Sequence, residues 1–312
     1  MRCTGWLLAL LAMAACGPRI EWIEVRDPDG RVQCTGQLVD GRREGLWTQF
    51  HPSGAKSIEG AFVSGERDGI WRSWYEDGAL RSDEGWVAGR LEGVSEEFDP
   101  RGRLTASGEY RAGVREGIWT SWFPDGSKRD ESTWRGGAKQ GRWSSWHEGG
   151  ALQASGSYLD DRLDGAWTEW HPNGRERRRG SWRSGLMEGT WTEWREDGSR
   201  ISEGTYRAGE QDGEWSTWAP AGELERRAHF VAGQLEGPAS SWHPNGQLQW
   251  HGLYHRGKRH GPWEQYREDG TKEWEGSYED GLREGRWSFW TRDGEIDPER
   301  SGLYERDLRQ GS

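Results

Sequence analysis

Eleven aromatic residues recur at a fixed spacing: Phe50, Trp74, Phe98, Trp122, Trp146, Trp170, Trp194, Trp218, Trp242, Tyr266 and Trp290 each lie 24 residues from the next. Their neighbours are mostly Ser, Thr, Arg and Glu. A row of rings among polar groups has the chemistry to stack on sugar rings or to hold quaternary amines by cation–π attraction. The candidate partner-binding residues are therefore Trp74, Trp122, Trp146, Trp170, Trp194, Trp218, Trp242 and Trp290. The competing reading is that these rings only pack against nearby Arg and Lys stems. His51, His147, His171 and His243 each follow one of the rings. Zinc needs its ligands within about 2.1 Å of one ion, and alternate strands are about 9–10 Å apart, so these rows cannot share a metal. Nine acids, Glu44, Asp68, Glu92, Glu116, Asp164, Glu188, Asp212, Glu236 and Glu284, share another spacing. They are expected to form a solvated edge that resists sheet-to-sheet aggregation. No G-x-S-x-G elbow, H-E-x-x-H or phosphate loop occurs in context, so no enzyme, metal or cofactor is expected.

The elements that must position these rings follow from the same period. Glycine occurs at 45, 69, 93, 117, 141, 165, 189, 213, 237, 261 and 285. With each of these as position 0, position 9 is always Gly and position 5 is the ring row. Position 2 is Trp except at Ser95 and Ala239, which read as drift. Position 17 is aromatic throughout, and a two-residue insertion near Asp297-Pro298 moves its last member to Tyr304. Asp-Gly or Asn-Gly at positions 8 and 9, as in Asp77-Gly78 and Asn173-Gly174, predicts a hairpin with a two-residue type I′ turn. That turn pairs position 2 with the glycine common at position 15, and position 0 with the ring at 17. Each ring then lies over bare backbone, which explains glycine inside strands, where it normally costs about 0.5–1 kcal/mol. Alternation puts positions 0, 2, 11, 15 and 17 on one face, expected to be buried. Position 5 falls on the other, expected to face solvent.

The chain has 312 residues and a net charge of −11. Acidity argues against nucleic acid or an anionic membrane surface as partner. Leu, Ile, Val and Phe total only 41 residues, a level that usually means disorder. The 24 Trp and 48 Gly exclude that, and they also exclude doubly wound and helical-bundle folds, which need long aliphatic runs. The N-terminus, MRCTGWLLALLAMAAC, has an apolar run too short to span a membrane and reads as a secretory signal. Its Ala-Ala-Cys ending resembles a bacterial lipoprotein signal, which implies cleavage before Cys16 and lipid on that residue. Gly17 resembles outer-membrane sorting. Cys34 is then left with no disulfide framework.

The pattern G-x-W-x-x-W-x-x-[DN]-G-x5-G-x-[YW]-x-x-G-x-x-[DE]-G, complete over residues 165–189, resembles the bacterial MORN-like repeats. The resemblance implies consecutive hairpins in an elongated, twisted antiparallel sheet or open solenoid, an all-β chain. Such bacterial chains are often assigned as the antitoxin of a toxin–antitoxin pair, which sits poorly with export. The aromatic hairpins of choline- and glucan-binding surface proteins are a looser likeness, because those use adjacent rings. The expected organisation is a lipoprotein signal over 1–15, a tether over 16–20, a degenerate capping repeat over 21–44 and eleven repeats over 45–312. The expected function is an envelope-anchored, outer-membrane scaffold binding a protein partner or envelope polymer, touching membrane only through its lipid.

Overall fold

The computed structural model of the chain describes residues 6, 7 and 17–311. Cys16 and nearly all of residues 1–15, expected to be a lipoprotein signal, lie outside them. The described residues form strands and turns without a helix. Each repeat is one antiparallel hairpin. A nine-residue outgoing strand such as Arg42–Phe50 or Glu66–Trp74 is followed by an eight-residue return strand such as Lys56–Val63 or Leu80–Val87. Consecutive hairpins pair edge to edge. The segment expected to be a degenerate capping repeat holds a hairpin of the same kind, Ile20–Arg26 with Val32–Val39. At the other end Gly285 pairs with Tyr304 and Trp287 with Gly302, as the shifted register requires. The chain divides into an N-terminal body, Met1–Leu152 with Tyr158–Asp161, and a C-terminal body, Gln153–Ser157 with Arg162–Ser312.

The turns exchange roles relative to the sequence expectation. At positions 8 and 9 only the glycine has positive φ, such as Gly54 at 86° and Gly78 at 88°. His51 N–H donates to Ala55 C=O and Gly54 N–H to His51 C=O, at 2.7 and 2.8 Å. This is a three-residue loop, a type I turn closed by a left-handed glycine. Pro52 stands where a type I turn favours proline. The expected register survives because the extra loop residue is compensated on the return strand. Gln49 faces Ile58 but Phe50 faces Lys56, so Ser57 bulges. The bulge moves position 11 to the face of position 5, away from the face the sequence pattern gave it.

The type I′ turn is the one between repeats. Ser64-Gly65 and Ala88-Gly89 have φ of 51° and 90°, and 45° and 77°. Most repeats put a non-glycine in the first of these left-handed sites, including Ala112 at φ 50°. A Cβ there strains the backbone by about 1–2 kcal/mol. Ala112→Gly is therefore expected to raise stability by about 1 kcal/mol, read as a shift in urea midpoint with unchanged m-value. The neighbouring Gly136-Gly137 turn uses this solution already.

The acid row supports these turns. Glu44, Glu92 and Glu116 accept the N–H of Ser64, Ala112 and Gly136 at 2.8, 2.7 and 2.7 Å. Glu188, Glu236 and Glu284 do the same for Ala208, Arg256 and Arg306. The carboxylates expected as a solvated edge thus also lock each turn to the repeat before it, across 20 residues of chain in most cases.

Candidate binding face

The core face is a ladder of rings. Trp71, Trp119, Trp191, Trp263 and Trp287 at position 2 are at most 6% exposed. The ring at position 17 meets the next Trp edge-on, as in Phe62–Trp71 at 4.9 Å, Tyr206–Trp215 at 5.0 Å and Tyr254–Trp263 at 5.1 Å. Such edge contacts add about 0.5–1.5 kcal/mol each beyond area burial. A cation from position 22 lies over both rings of a step: Arg67 is 4.2 Å from Trp71 and 4.7 Å from Trp86, and Arg115 is 4.1 Å from Trp119 and 5.0 Å from Trp134. Burial lowers the pKa of Arg67, against the pull of Glu84.

Strand pairing sets Trp47 opposite Gly60, as expected, but the ring covers a different glycine. It leans back over Gly36 of the preceding hairpin, where an added Cβ would sit 2.2 Å from a ring carbon. Trp71 covers Gly60, Trp191 covers Gly180 and Trp263 covers Gly252 at 2.1–2.2 Å. The indole N–H of most of these residues donates to the carbonyl ten residues earlier, such as Trp71 to Ala61 at 3.0 Å and Trp263 to Leu253 at 2.9 Å, whereas Trp167 donates to Glu169 Oε1 at 2.9 Å. The rings therefore join hairpins to each other rather than closing one hairpin. This reinterprets Ser95 and Ala239. The residues eleven earlier are Glu84 and Ala228, not glycine, so a Trp would have no bare backbone to cover. The replacements are matched, not drift. Trp143 after Ser132 is the case in which the ring is kept without glycine.

The opposite face holds position 5. Every residue of that row is half-buried rather than exposed. Lys56 lies 5.8 Å from the Trp74 ring, Lys128 5.5 Å from Trp146, Arg179 5.3 Å from Trp194, Arg200 5.4 Å from Trp218 and Lys272 5.9 Å from Trp290. Most of these cations come from position 11, carried here by the bulge. Trp122, Trp170 and Trp242 have the same intermediate burial. Three of the four histidines at position 6 have a structural partner: His51, His171 and His243 donate Nε2–H to the backbone carbonyls of Trp74, Trp194 and Tyr266, each at 2.9 Å, whereas the buried Nε2 of His147 has none among the described residues. Tyr75 Oη–H does the same to Phe98 C=O at 2.8 Å. Among the described residues no group of three or more His, Cys, Asp or Glu could hold a metal ion.

The same face carries a feature that the ring pattern obscured. At position 1, Trp22, Leu46, Ile70, Val94 and Ile118 are 75, 61, 54, 54 and 59% exposed. They occupy one register position in five consecutive hairpins of the N-terminal body. Leu46 pairs with Ala61, Ile70 with Gly85 and Ile118 with Thr133, whereas Trp22 pairs with Gln37 and Val94 with Glu109. Exposed Val63 and Val87 lie beside the stripe, next to the type I′ turns. In later repeats position 1 becomes Arg142, Ala166, Thr190, Glu214, Pro238, Pro262 and Arg286. The signal was present in the sequence as a period-24 apolar column, but single exposed aliphatics carry no meaning until the sheet aligns them.

Polar groups at the loop tips are satisfied locally. Asp125, Asp197 and Asp269 accept the backbone N–H of Ser127, Ser199 and Thr271 at 2.8, 2.7 and 2.9 Å. The hydroxyls of those residues, followed by these N–H groups, hold all three carboxyls below the usual aspartate range. A depressed folded-state pKa gives stability that is present above the unfolded value of about 3.9 and lost as pH falls through the folded one. Changing the three residues to Asn, as repeats with Asn173 and Asn245 already have, is expected to flatten the acid limb of a stability–pH curve below about pH 4. An unchanged limb would contradict this role.

Comparison with known proteins agrees with the repeat assignment. The family described as MORN repeat variant matches residues 67–84 and 235–254. No curated protein matches. Solved structures with partial likeness are the crystal structures of TcdB2-TccC3-Cdc42, TcdB2-TccC3-TEV and TcdB2-TccC3, at 11, 10 and 9% identity. They cover 87, 87 and 93% of this chain, at TM-scores of 0.17, 0.17 and 0.18, values too low to establish a common fold. The chain spans only about a fifth of the length of those proteins, 19, 20 and 19%. Both family matches start two residues before an anchor glycine, in the phase shared by all eleven anchors, and the chain is a MORN-like repeat protein.

Proposed function

We propose that the chain is an exported lipoprotein, anchored to the cell envelope through Cys16, whose repeats form a scaffold that binds a protein partner. The observation that carries this reading is the aligned stripe Trp22, Leu46, Ile70, Val94 and Ile118 on the face that also bears the position-5 rings. Contiguous exposed apolar surface on a soluble domain marks an interaction site more often than scattered residues do. Repeat proteins commonly bind through such extended faces. In this reading the stripe is the apolar centre, and Trp122 together with Trp74 and Trp146, each with its covering lysine, forms the rim. The C-terminal body carries its own position-5 rings, Trp170, Trp194, Trp218, Trp242 and Trp290. The test is affinity capture from solubilised envelope with three baits: the native chain, Ile70→Ser with Val94→Ser, and Trp122, Trp146, Trp170 and Trp194 all changed to Ser. A protein prey lost with the first variant is expected. Equal capture by all three baits would sink the reading.

A second reading, glycan binding, has its own observation. The N-terminal body has an open groove of about 970 Å³ that reaches Glu84, the strand partner of Ser95. Gln49, Ser73, Ser82, Glu84, Glu97 and Tyr75 are among its lining residues. A polysaccharide prey lost on Glu84→Ala but kept by the stripe variant would favour it.

A further inference from the structure

The stripe has a spacing and a charge environment that together select one kind of occupant. Resting on the protein-partner reading above, we propose that it docks an amphipathic α-helix whose polar flanks are basic. Successive stripe residues are two strands apart, about 9.4–9.8 Å. Seven residues of helix rise about 10.5 Å, so apolar side chains one heptad apart stay within about 1 Å per row of the stripe. Side chains on one face of an extended strand recur about every 6.6–6.8 Å and fall out of step after one row. Val63 and Val87 widen the stripe beside Leu46 and Ile70, giving the i+3 and i+4 contacts that a helix face also presents.

Charge gives the second half of the argument. The stripe is bordered by Glu44, Asp68, Glu92 and Glu116, which share its face. Each puts one carboxylate oxygen on a turn N–H at 2.7–3.2 Å. Of the four, only Glu116 has a cation within ion-pair reach, Arg111 at 4.0 Å. Glu96 shares the face, and Glu109 lies directly opposite Val94, so acids stand within the stripe as well as along it. A second copy laid face to face would set these acid rows against each other. A helix with Lys or Arg flanking its apolar seam meets them with opposite charge.

The experiment uses the full chain in detergent and four fluorescent 28-residue peptides. One has a Leu seam at heptad spacing with Lys flanks, one the same seam with Glu flanks, one the Lys composition scrambled to remove the seam, and one alternating Leu and Lys. Anisotropy gives affinity and circular dichroism gives helix gained on binding. The Lys-flanked heptad peptide is expected to bind helically, at least tenfold tighter than the other three. Its affinity is expected to fall at least tenfold on Ile70→Ser with Val94→Ser, and to weaken in 1 M salt, where charges are screened within about 3 Å. Equal or tighter binding of the Glu-flanked or alternating peptide overturns the proposal, as does stripe-dependent dimerisation with no peptide bound. If envelope capture still depends on the stripe while no peptide binds, the partner reading stands and the helix is wrong. If both fail, the partner reading fails as well.

Discussion

Gly252→Ala is expected to destabilise the C-terminal body by about 3 kcal/mol or more, a large effect for one methyl group. The new Cβ would lie 2.2 Å from the Trp263 ring, nearer than atoms of folded proteins approach. The ring cannot swing aside freely, because it is 1% exposed, its N–H donates to Leu253 C=O at 2.9 Å, and Tyr254 packs edge-on at 5.1 Å. Moving it away breaks all three restraints. The diagnostic is a double-mutant cycle with Trp263→Ala. Once the ring is gone its clash with the methyl group is gone too, so the double variant should be little worse than Trp263→Ala alone, leaving a coupling of about 3 kcal/mol. The chain contains that combination already, Ala228 with Ala239. Urea unfolding should be followed by both fluorescence and circular dichroism, since repeat arrays lose two-state behaviour. A change under about 0.5 kcal/mol for Gly252→Ala would remove the ring-over-glycine contact from the account, because surface substitutions typically reach that size.

Trp191→Ala is expected to cost about 3–5 kcal/mol. Its ring is 2% exposed, edge-on to Trp182 at 5.3 Å and Tyr206 at 6.3 Å, with Arg178 over it at 4.4 Å. Removing it leaves a cavity at a joint between two hairpins. Trp194→Ala, three residues on and across the sheet, should cost only about 1 kcal/mol, since that ring is half-buried beneath Arg179. The contrast separates a row that holds the fold from a row available to a partner. Similar losses at both sites would make the position-5 row structural and withdraw it from the binding face.

Much of this was legible in the residues. The 24-residue period, the hairpin, the pairing of positions 2 with 15 and 0 with 17, and the shifted last repeat at Tyr304 all follow from spacing alone, because strand pairing is a local register rule. The turn assignment did not follow. Asp-Gly suits both a two-residue type I′ turn and the glycine-closed type I loop, and only the Ser57 bulge, which leaves no mark in composition, keeps the register under the longer loop. That bulge also carried position 11 across the sheet and put Lys56 and Lys128 over rings that the pattern alone left bare.

The residues by themselves determined which groups pair within a hairpin, since those contacts lie within a few residues of a turn. Tertiary structure decided what each hairpin does to the next: that Trp71 covers Gly60 rather than its strand partner's hairpin, that Glu92 holds the Ala112 turn, and that Trp22, Leu46, Ile70, Val94 and Ile118 become one surface. Those contacts depend on the stagger and lean of one hairpin against another. The physical reason is that stagger is set by left-handed glycines and bulges acting together over many residues, whereas pairing is set by one turn at a time.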